Sequence, residues 1–300
     1  MIICLALSPS LDVVYLVDCL AVGGITRPTD TYRSAGGKAL NAGRAIANLG
    51  TPVSAIALLG GHTGALVESL LQLPISVVAT AQETRTCVSI SSQHDGSLTE
   101  IYEPAAVVSP DEWSGIAQRV RGSVGAGDWL VIAGSVPPGI PIDEVAALVR
   151  ELRGIGASVA VDTHGAALEA LLDAAPELVK VNRAEAGHAL GGDGDAMSLA
   201  AAIHARTGGI GVVTDGAAGS SAASSVGSFL VSADTVRGAY AVGSGDSYLG
   251  ALVRGLASGA LLEESLASAA ATASANAAVP GAATFRLADV DAALRRISVS

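Results

Sequence analysis

The stretch LVKVNRAEAGHALGGDGDAMSLAAAIHARTGGIGVVT, residues 178–214, decides the fold class. It begins with a short apolar run, Leu178–Val181, and ends with another, Gly211–Thr214. Between them lie two segments of helical composition, Arg183–Leu190 and Met197–Thr207. Short strands that alternate with helices indicate βαβ units, whose strands lie parallel in a sheet that helices cover on both faces.

The same alternation continues on both sides of this stretch. Further predicted strands are Ile2–Leu7, Val53–Leu58, Trp129–Ala133 and Ser158–Val161, and further predicted helices are Asn41–Leu49, Gly64–Leu71, Pro110–Val120, Ile142–Arg153, Ala166–Leu172, Ser244–Ser258 and Leu262–Ala278. The chain has 300 residues, which is near the upper limit for one hydrophobic core. We therefore expect one large α/β domain with a minor appendage.

Two stretches interrupt the alternation, Val13–Arg33 and Arg85–Glu103. Both carry Thr, Tyr, Val and Ser in strand-like patterns with no helix between them. We expect them to pair as a small antiparallel β lid over the carboxyl ends of the parallel strands, where ligands bind in open α/β sheets. Two ordinary hairpins without a lid role are the alternative. The predicted organisation is a core of residues 1–12, 34–84 and 104–300 with a lid of residues 13–33 and 85–103.

The chain is acidic, with a formal net charge of −11. Such a surface repels nucleic acids and anionic membranes, so neither is expected as a partner. It also repels phosphorylated metabolites, so an anion site would need a local cluster of cations. Fifteen of the 17 basic residues are arginines and only two, Lys38 and Lys180, are lysines. Each lysine is therefore a candidate for a specific role.

The cysteines and the apolar segments indicate an ordinary cytoplasmic protein. Cys4, Cys19 and Cys87 are odd in number and lack a metal-ligand spacing, which favours reduced thiols. The apolar stretch Ala260–Ala283 contains two glutamates, an asparagine and a proline. It therefore predicts a buried helix of small residues and not a membrane span.

A G-x-G-D turn occurs twice. Gly125–Asp128 precedes a predicted strand, whereas Gly243–Asp246 precedes a predicted helix. Only the helix start offers free backbone N–H groups and a positive dipole end to an anion, so Gly243, Ser244 and Gly245 form a candidate anion site beside Asp246. The alternative is that Asp246 is an ordinary N-cap or first-turn acid of that helix.

Two nucleotide-binding fingerprints are missing from the sequence. No G-x-x-x-x-G-K-S/T occurs, and no G-x-G-x-x-G follows the first predicted strand. Neither a P-loop enzyme nor a Rossmann oxidoreductase is therefore indicated.

Each lysine stands in a recognisable context. Gly36-Gly37-Lys38 leads into a helix that we expect to be capped near Asn41, where Lys38 can contact an anion or a sugar hydroxyl. Lys180 precedes Asn182 and Glu185, whose spacing suits Mg²⁺ held through water beside a phosphate. The alternatives are a solvated Lys38 and, for Asn182 with Glu185, a capping box.

Several motifs in one order resemble the PfkB (ribokinase-like) carbohydrate kinases, specifically the 1-phosphofructokinase and tagatose-6-phosphate kinase branch. The resemblance covers nearly the whole chain. The matching segments are residues 8–12 (SPSLD), 36–44 (GGKALNAGR), 84–88 (TRTCV), 99–104 (TEIYEP), 134–139 (GSVPPG) and 242–247 (VGSGDS).

The resemblance implies a ribokinase-like three-layer α/β/α domain with a mainly parallel sheet and a β lid. It also implies an enzyme that uses ATP and Mg²⁺, with Asp246 as catalytic base and the turn Gly243–Gly245 as anion hole. The residues implied to bind the sugar phosphate are Asp12, Arg27, Gly36, Gly37, Lys38, Asn41, Arg85, Glu100 and Ser135. Those implied around ATP are Lys180, Asn182, Thr214, Asp215, Gly216, Gly219, Gly245 and Asn276, with Asn182 and Glu185 organising Mg²⁺.

The expected reaction is the ATP-dependent conversion of fructose 1-phosphate to fructose 1,6-bisphosphate. Tagatose 6-phosphate and fructose 6-phosphate are alternative acceptors, followed by an unphosphorylated sugar or nucleoside. A sugar-phosphate sensor without catalysis is the alternative of a different class. Ser8, Ser10 and Ala39 depart from the family pattern on the sugar side, so the acceptor stays open. A homodimer formed through the lid is a further expectation, because unpaired sheet edges invite partners.

Overall fold

The structure is a computed structural model that describes residues 1–233, 238, 240 and 242–300. Its strands are β1 Ile2–Ala6, β2 Ser10–Val17, β3 Asp30–Gly36, β4 Val53–Leu59, β5 Ile75–Ala79, β6 Thr86–Ser92, β7 Leu98–Tyr102, β8 Trp129–Ala133, β9 Ser158–Asp162, β10 Leu178–Asn182, β11 Ile210–Thr214, β12 Ser220–Ser224, β13 Gly227–Ala233 and β14 Ile297–Val299. Its helices are α1 Lys38–Asn48, α2 Gly61–Leu70, α3 Pro110–Ser123, α4 Ile142–Gly154, α5 Gly165–Asp173, α6 Arg183–Leu190, α7 Ala196–Thr207, α8 Ser244–Ala257, α9 Leu262–Ala277 and α10 Leu287–Leu294.

The large sheet has the strand order β14-β13-β12-β11-β10-β9-β8-β1-β4-β5. From β11 to β5 every neighbouring pair is parallel. This confirms the predicted parallel sheet, and all six strands expected in it are present. The edge strand β5 and the antiparallel extension β12–β14 were not predicted from the sequence.

Helices pack on both faces of this sheet and give it three layers. Along β1, Ile2 and Cys4 join a core formed largely with α1, α8 and α9, whereas Ile3 and Leu5 join a second core formed largely with α3 and α4. Successive strand residues point to opposite faces, so a strand buried on both sides is apolar at every position. This is why the central strands appear in the sequence as uninterrupted apolar runs.

The small sheet consists of two hairpins, in the order β3-β2-β6-β7. Each hairpin is antiparallel, as expected. The hairpins join through β2 and β6, which pair in parallel and not antiparallel. Leu11, Val13 and Val17 point to the buried face of β2, and Asp12 lies on the opposite face. The pairing extends to Ser10 and Gly36 at the base of the small sheet, beyond the predicted start at Val13.

Helices α1 and α8 pack closely because small residues form their contact. A Cβ on Gly250 would be 2.6 Å from the carbonyl oxygen of Ala42 and 3.1 Å from the Cβ of Ala45. The two helices begin at the carboxyl edge of the large sheet, so this contact brings their first turns together. That proximity positions the site described next.

Candidate active site

Polar side chains gather where the parallel strands end. Strand β9 ends at Asp162, β10 at Asn182 and β11 at Thr214. Because these strands are parallel neighbours, their carboxyl ends share one edge of the sheet. This edge is where open α/β sheets bind ligands.

Asp246 lies in the first turn of α8, as its sequence predicts. Gly243 precedes the helix with φ at 75°, a left-handed conformation that favours glycine. The Asp246 side chain makes no capping hydrogen bond; instead its Oδ2 accepts from Nδ2 of Asn41 at 2.8 Å. Asp246 is only 8% exposed. Asp246 is therefore not the N-cap of α8 but an acidic residue of its first turn, which was the other part of that alternative.

Helix α1 begins at Lys38, so the expected cap near Asn41 is wrong. Gly37 precedes the helix with φ at 95°, and Asn41 is already a buried residue of the first turn. Its side chain is free of capping and reaches across to α8. Arg44 donates from Nη2 to Oδ1 of Asn41, which directs the amide nitrogen of Asn41 towards Asp246.

Asp162 is the centre of a buried ion cluster. Its Oδ1 accepts from Nζ of Lys38 at 2.7 Å, and its Oδ2 accepts from Nζ of Lys180 at 2.6 Å. Nζ of Lys38 also lies 3.4 Å from Oε1 of Glu185. The two lysines of the chain thus share one carboxylate.

Asp162 and Arg44 are site residues that were not predicted from the sequence. Arg44 stands in the quoted GGKALNAGR segment, but its role depends on α8, some 200 residues later. Asp162 follows the predicted strand Ser158–Val161 directly, and its position at the carboxyl end of a parallel strand was the available signal.

The charges of this cluster set the protonation of Asp246. Burial raises the pKa of Asp246 to about 6, and the negative charge of Asp162 adds to the increase. The Asn41 hydrogen bond and the ammonium groups of Lys38 and Lys180 oppose it. Burial alone would also raise the pKa of Asp162, but Lys180 and Lys38 hold it below the ordinary value. Asp162 is therefore an anion near neutral pH, whereas Asp246 can accept a proton there.

The sugar side of the predicted site forms around Asp12. Oδ1 of Asp12 accepts from the hydroxyl of Ser10 at 2.6 Å, and burial raises the pKa of Asp12. A Cβ on Gly36 would lie 2.0 Å from that carboxylate, so glycine makes room for it. Arg85 donates to the carbonyl oxygens of Ser8 and Glu103, and so lies at the junction of core and lid.

Three further residues of the predicted sugar set lie in different parts of the structure. Ser135 directly follows the turn after β8, where Gly134 approaches Lys38. Glu100 projects from the lid on the face that carries Asp12 and accepts from the hydroxyl of Tyr102. Arg27 is exposed in the loop between β2 and β3, beyond the outer end of the lid strands, and is not brought to Asp12.

A cleft of about 460 Å³ lies on the other side of the α8 turn. Thr214, Gly216, Gly219, Ser244 and Gly245 line it, together with small residues of α9. Five residues predicted at the nucleotide or anion site therefore face one space.

Other residues predicted near the nucleotide lie outside the lining of this cleft. Asp215 pairs with Arg183 at 3.4 Å. Asn276 is fully buried behind the turn, where it donates to the carbonyl oxygen of Val242 and to the hydroxyl of Ser244. Asn276 therefore holds the shape of the anion turn and does not face the cleft.

Asn182 and Glu185 form the capping box that was the alternative to a metal role. Oδ1 of Asn182 accepts from the backbone N–H of Glu185 at 2.9 Å, and Oε2 of Glu185 accepts from that of Asn182 at 3.0 Å. Within the described residues, no three His, Cys, Asp or Glu side chains are grouped to hold one metal ion. Oε1 of Glu185 is outside the capping box and faces Lys38.

The chain was compared with models of known protein families. The model of the pfkB family of carbohydrate kinases matches residues 6–288. The chain belongs to the pfkB family. It is accordingly a phosphotransferase whose acceptor is a sugar hydroxyl.

Solved structures of phosphofructokinases and of a possible phosphofructokinase have the same fold. Phosphofructokinase-2 from Escherichia coli, in complex with substrates and products, is 29% identical, with 98% of both chains covered and a TM-score of 0.92. In complex with fructose-6-phosphate the corresponding values are 28%, 98% of both chains and 0.89. A "possible 1-phosphofructokinase" from Thermotoga maritima is 23% identical over 100% of this chain and 99% of its own, with a TM-score of 0.87. These likenesses confirm the predicted ribokinase-like fold. No helix in the described part of this pfkB chain is long and apolar enough to cross a membrane.

A substitution in the α8 turn tests whether the turn contributes to catalysis independently of the stability of the fold. A Cβ on Gly245 would lie 3.0 Å from Nζ of Lys180, so Gly245→Ala should displace that ammonium group and narrow the cleft. We expect kcat to fall by about 10- to 100-fold, while the free energy of unfolding changes little, because the helix preference of alanine over glycine offsets the shift of the buried Lys180 ammonium. The measurements are steady-state kinetics and urea unfolding. Gly122→Ala is the matched control, since its Cβ would meet open space in α3; equal kinetics for both variants would contradict the assignment of the turn.

Proposed function

We propose that this pfkB kinase transfers the γ-phosphoryl group of ATP to a free hydroxyl of a sugar phosphate, with Asp246 as the general base. The supporting observation is the position of Asp246. Its buried carboxyl, with a pKa near 6, lies beside the free N–H groups of α8 and beside two lysines. A base with such a pKa can accept a proton at neutral pH.

In the proposed reaction, the acceptor hydroxyl approaches Asp246 from the side of Asp12. The hydroxyl oxygen forms a bond to the γ-phosphorus, and its proton passes to a carboxylate oxygen of Asp246. The bond between the γ-phosphorus and the bridging oxygen breaks, and ADP leaves with the bonding electrons. Backbone N–H groups of residues 244 and 245 stabilise the charge on the equatorial oxygens, which is the main demand of phosphoryl transfer.

The cation that the reaction needs would be held at Glu185. Mg²⁺ in kinases is usually bound by one or two carboxylates, several waters and the substrate phosphates. Oε1 of Glu185 lies outside the capping box and 3.4 Å from Nζ of Lys38, so it would hold the ion through water, with Asn182 beside it. When bound, Mg²⁺ neutralises charge on the ATP phosphates.

The cations of the sugar side favour an acceptor that is itself phosphorylated. Lys38 is engaged with Asp162 and Glu185, which leaves Arg85 and Arg44 near Asp12. The Nε of each arginine is buried without a hydrogen-bond partner among the described residues. In a chain of net charge −11, two such arginines suit an anionic substrate.

The acceptor that we propose is a fructose monophosphate, and fructose 1,6-bisphosphate is the product. The sequence motifs favour fructose 1-phosphate. The likeness to E. coli phosphofructokinase-2, which was solved with fructose-6-phosphate, favours the other isomer. In the furanose form each isomer carries a primary hydroxyl on one side of the ring oxygen and a phosphate on the other. One site can therefore bind either isomer.

The direct test is ADP release with Mg-ATP across a set of acceptors. The set is fructose 1-phosphate, fructose 6-phosphate, tagatose 6-phosphate, and free fructose, ribose and adenosine. Turnover of a sugar phosphate well above all free acceptors supports the proposal. Turnover of a free sugar or nucleoside alone would replace it with the unphosphorylated acceptor, and ligand binding without ADP release would indicate a sensor.

Replacement of Asp246 tests the base. Asp246→Asn keeps the shape and the contact with Asn41 but cannot take a proton, so kcat should fall by about 10²–10⁴-fold. The KM for ATP should change little. Asp128→Asn, in the other G-x-G-D turn, is the control; there the carboxylate pairs with the terminal amine of Met1 at 2.7 Å. If Asp246→Asn keeps a kcat within a few-fold of the starting protein, Asp246 is not the base.

The small β-sheet has two proposed roles, closure over the acceptor site and contact with a second copy of the chain. We propose that residues 13–33 and 85–103 close over the acceptor and exclude water. Ile101 and Tyr102 on the edge strand β7 are 59% and 53% exposed, and an apolar edge of this kind favours pairing with a second copy. A sedimentation-velocity experiment should therefore give a dimer or a larger assembly, whereas a monomer at micromolar concentration would reject the proposed contact.

A further inference from the structure

The two lysines of this chain bind the same buried carboxylate. There are two in 300 residues, and both donate to the same carboxylate. They come from different parts of the fold, Lys38 from the first turn of α1 and Lys180 from the middle of β10. Asp162 itself is fully buried at the end of β9.

Burial explains why Lys180 pairs with Asp162, but it does not explain why Lys38 does. The Lys180 side chain is 5% exposed and needs a counter-charge, because an unpaired buried ammonium is strongly destabilising. The Lys38 side chain is 33% exposed and could extend into water instead. Stability therefore accounts for the pair Lys180–Asp162 but not for the second lysine on the same carboxylate.

The two ammonium groups lie next to the site where we propose that the phosphoryl group is transferred. Nζ of Lys180 lies against Gly245, within 3.0 Å of where a Cβ would be. Nζ of Lys38 lies 3.4 Å from Glu185, where the proposed Mg²⁺ would be held. The two cations thus lie on the two oxygens of one carboxylate, one beside the α8 turn and the other beside Glu185. A lysine side chain is flexible and loses considerable entropy when it is fixed, so a shared anchor would hold both in advance.

We propose that Asp162 is a positioning residue for phosphoryl transfer, whose carboxylate holds Lys38 and Lys180 as a fixed pair of cations around the transferred group. The inference rests on the proposed function, because it assumes that a phosphoryl group crosses this space. Electrostatic groups that are already in place contribute most to such reactions. Asp162 would act through the lysines and would not itself contact substrate.

Asp162→Asn tests this role by kinetics. The variant keeps the shape but loses the charge that holds the two lysines, so kcat should fall by about 10²-fold while the KM for the sugar phosphate stays within about threefold. Asp173→Asn is the control, since Asp173 also pairs with a cation, Arg206, but on the surface. A kcat within threefold of the starting protein, or an equal loss for Asp173→Asn, would overturn the proposal.

The pH profile gives a readout that a merely structural role would not move. Asp246 faces Asp162, Lys38, Lys180, Asn41 and Arg44. Since the charge of Asp162 raises the pKa of Asp246, its removal should move the acid limb of kcat/KM to lower pH. An acid limb that stays in place in a folded Asp162→Asn variant would show that the carboxylate does not act on this centre.

The starting protein provides a test that does not depend on the folding of any variant. Because the chain has only two lysines, labelling with ¹³C at the lysine ε carbon gives two side-chain signals. Both should lie away from the position of free lysine, and both should shift when a non-hydrolysable imido analogue of ATP is added with Mg²⁺. A lysine signal at the free position that ignores the nucleotide would overturn the shared role. The result is also separable from the proposed function, which fails if the protein releases no ADP with any sugar phosphate.

Discussion

The buried carboxylate of Asp162 is the constraint on which the rest of the site depends. An isolated charge at the end of an interior strand would be strongly unfavourable, and two ammonium groups offset it. Those contacts tie the first turn of α1 and strand β10 to β9. The charge that remains raises the pKa of Asp246 nearby, so one cluster links the stability of the sheet edge to the chemistry that we propose there.

The second requirement is the close contact of α1 and α8. Alanine and glycine at this contact let the backbones approach, and the approach allows Asn41 to donate to Asp246. Arg44 then fixes the direction of the Asn41 amide. Larger side chains at Ala42, Ala45 or Gly250 would separate the two helix starts.

The sequence predicts most of the architecture because the governing patterns are local. Apolar runs such as Trp129–Ala133 are strands, and the helix after Gly243 distinguishes Asp246 from Asp128. Strand β12 was missed because serine and alanine give it no apolar signal, whereas β13 and β14 were missed because their apolar runs span only a few residues. Asp162 was missed because its meaning depends on Lys38, 124 residues away. Asn41 was placed at a cap because nothing local shows that Gly37 starts the helix.

The central claim is that Asp246 is a base whose pKa is raised by burial beside Asp162. The most direct measurement is kcat/KM for the preferred sugar phosphate as a function of pH. The account predicts a fall below about pH 6 as Asp246 takes up a proton. It also predicts that this limb is missing from the residual activity of Asp246→Asn, which separates it from the ionisation of the substrate phosphates. A rate that stays constant down to the ordinary aspartate value of about 4, or the same limb in Asp246→Asn, would contradict the account.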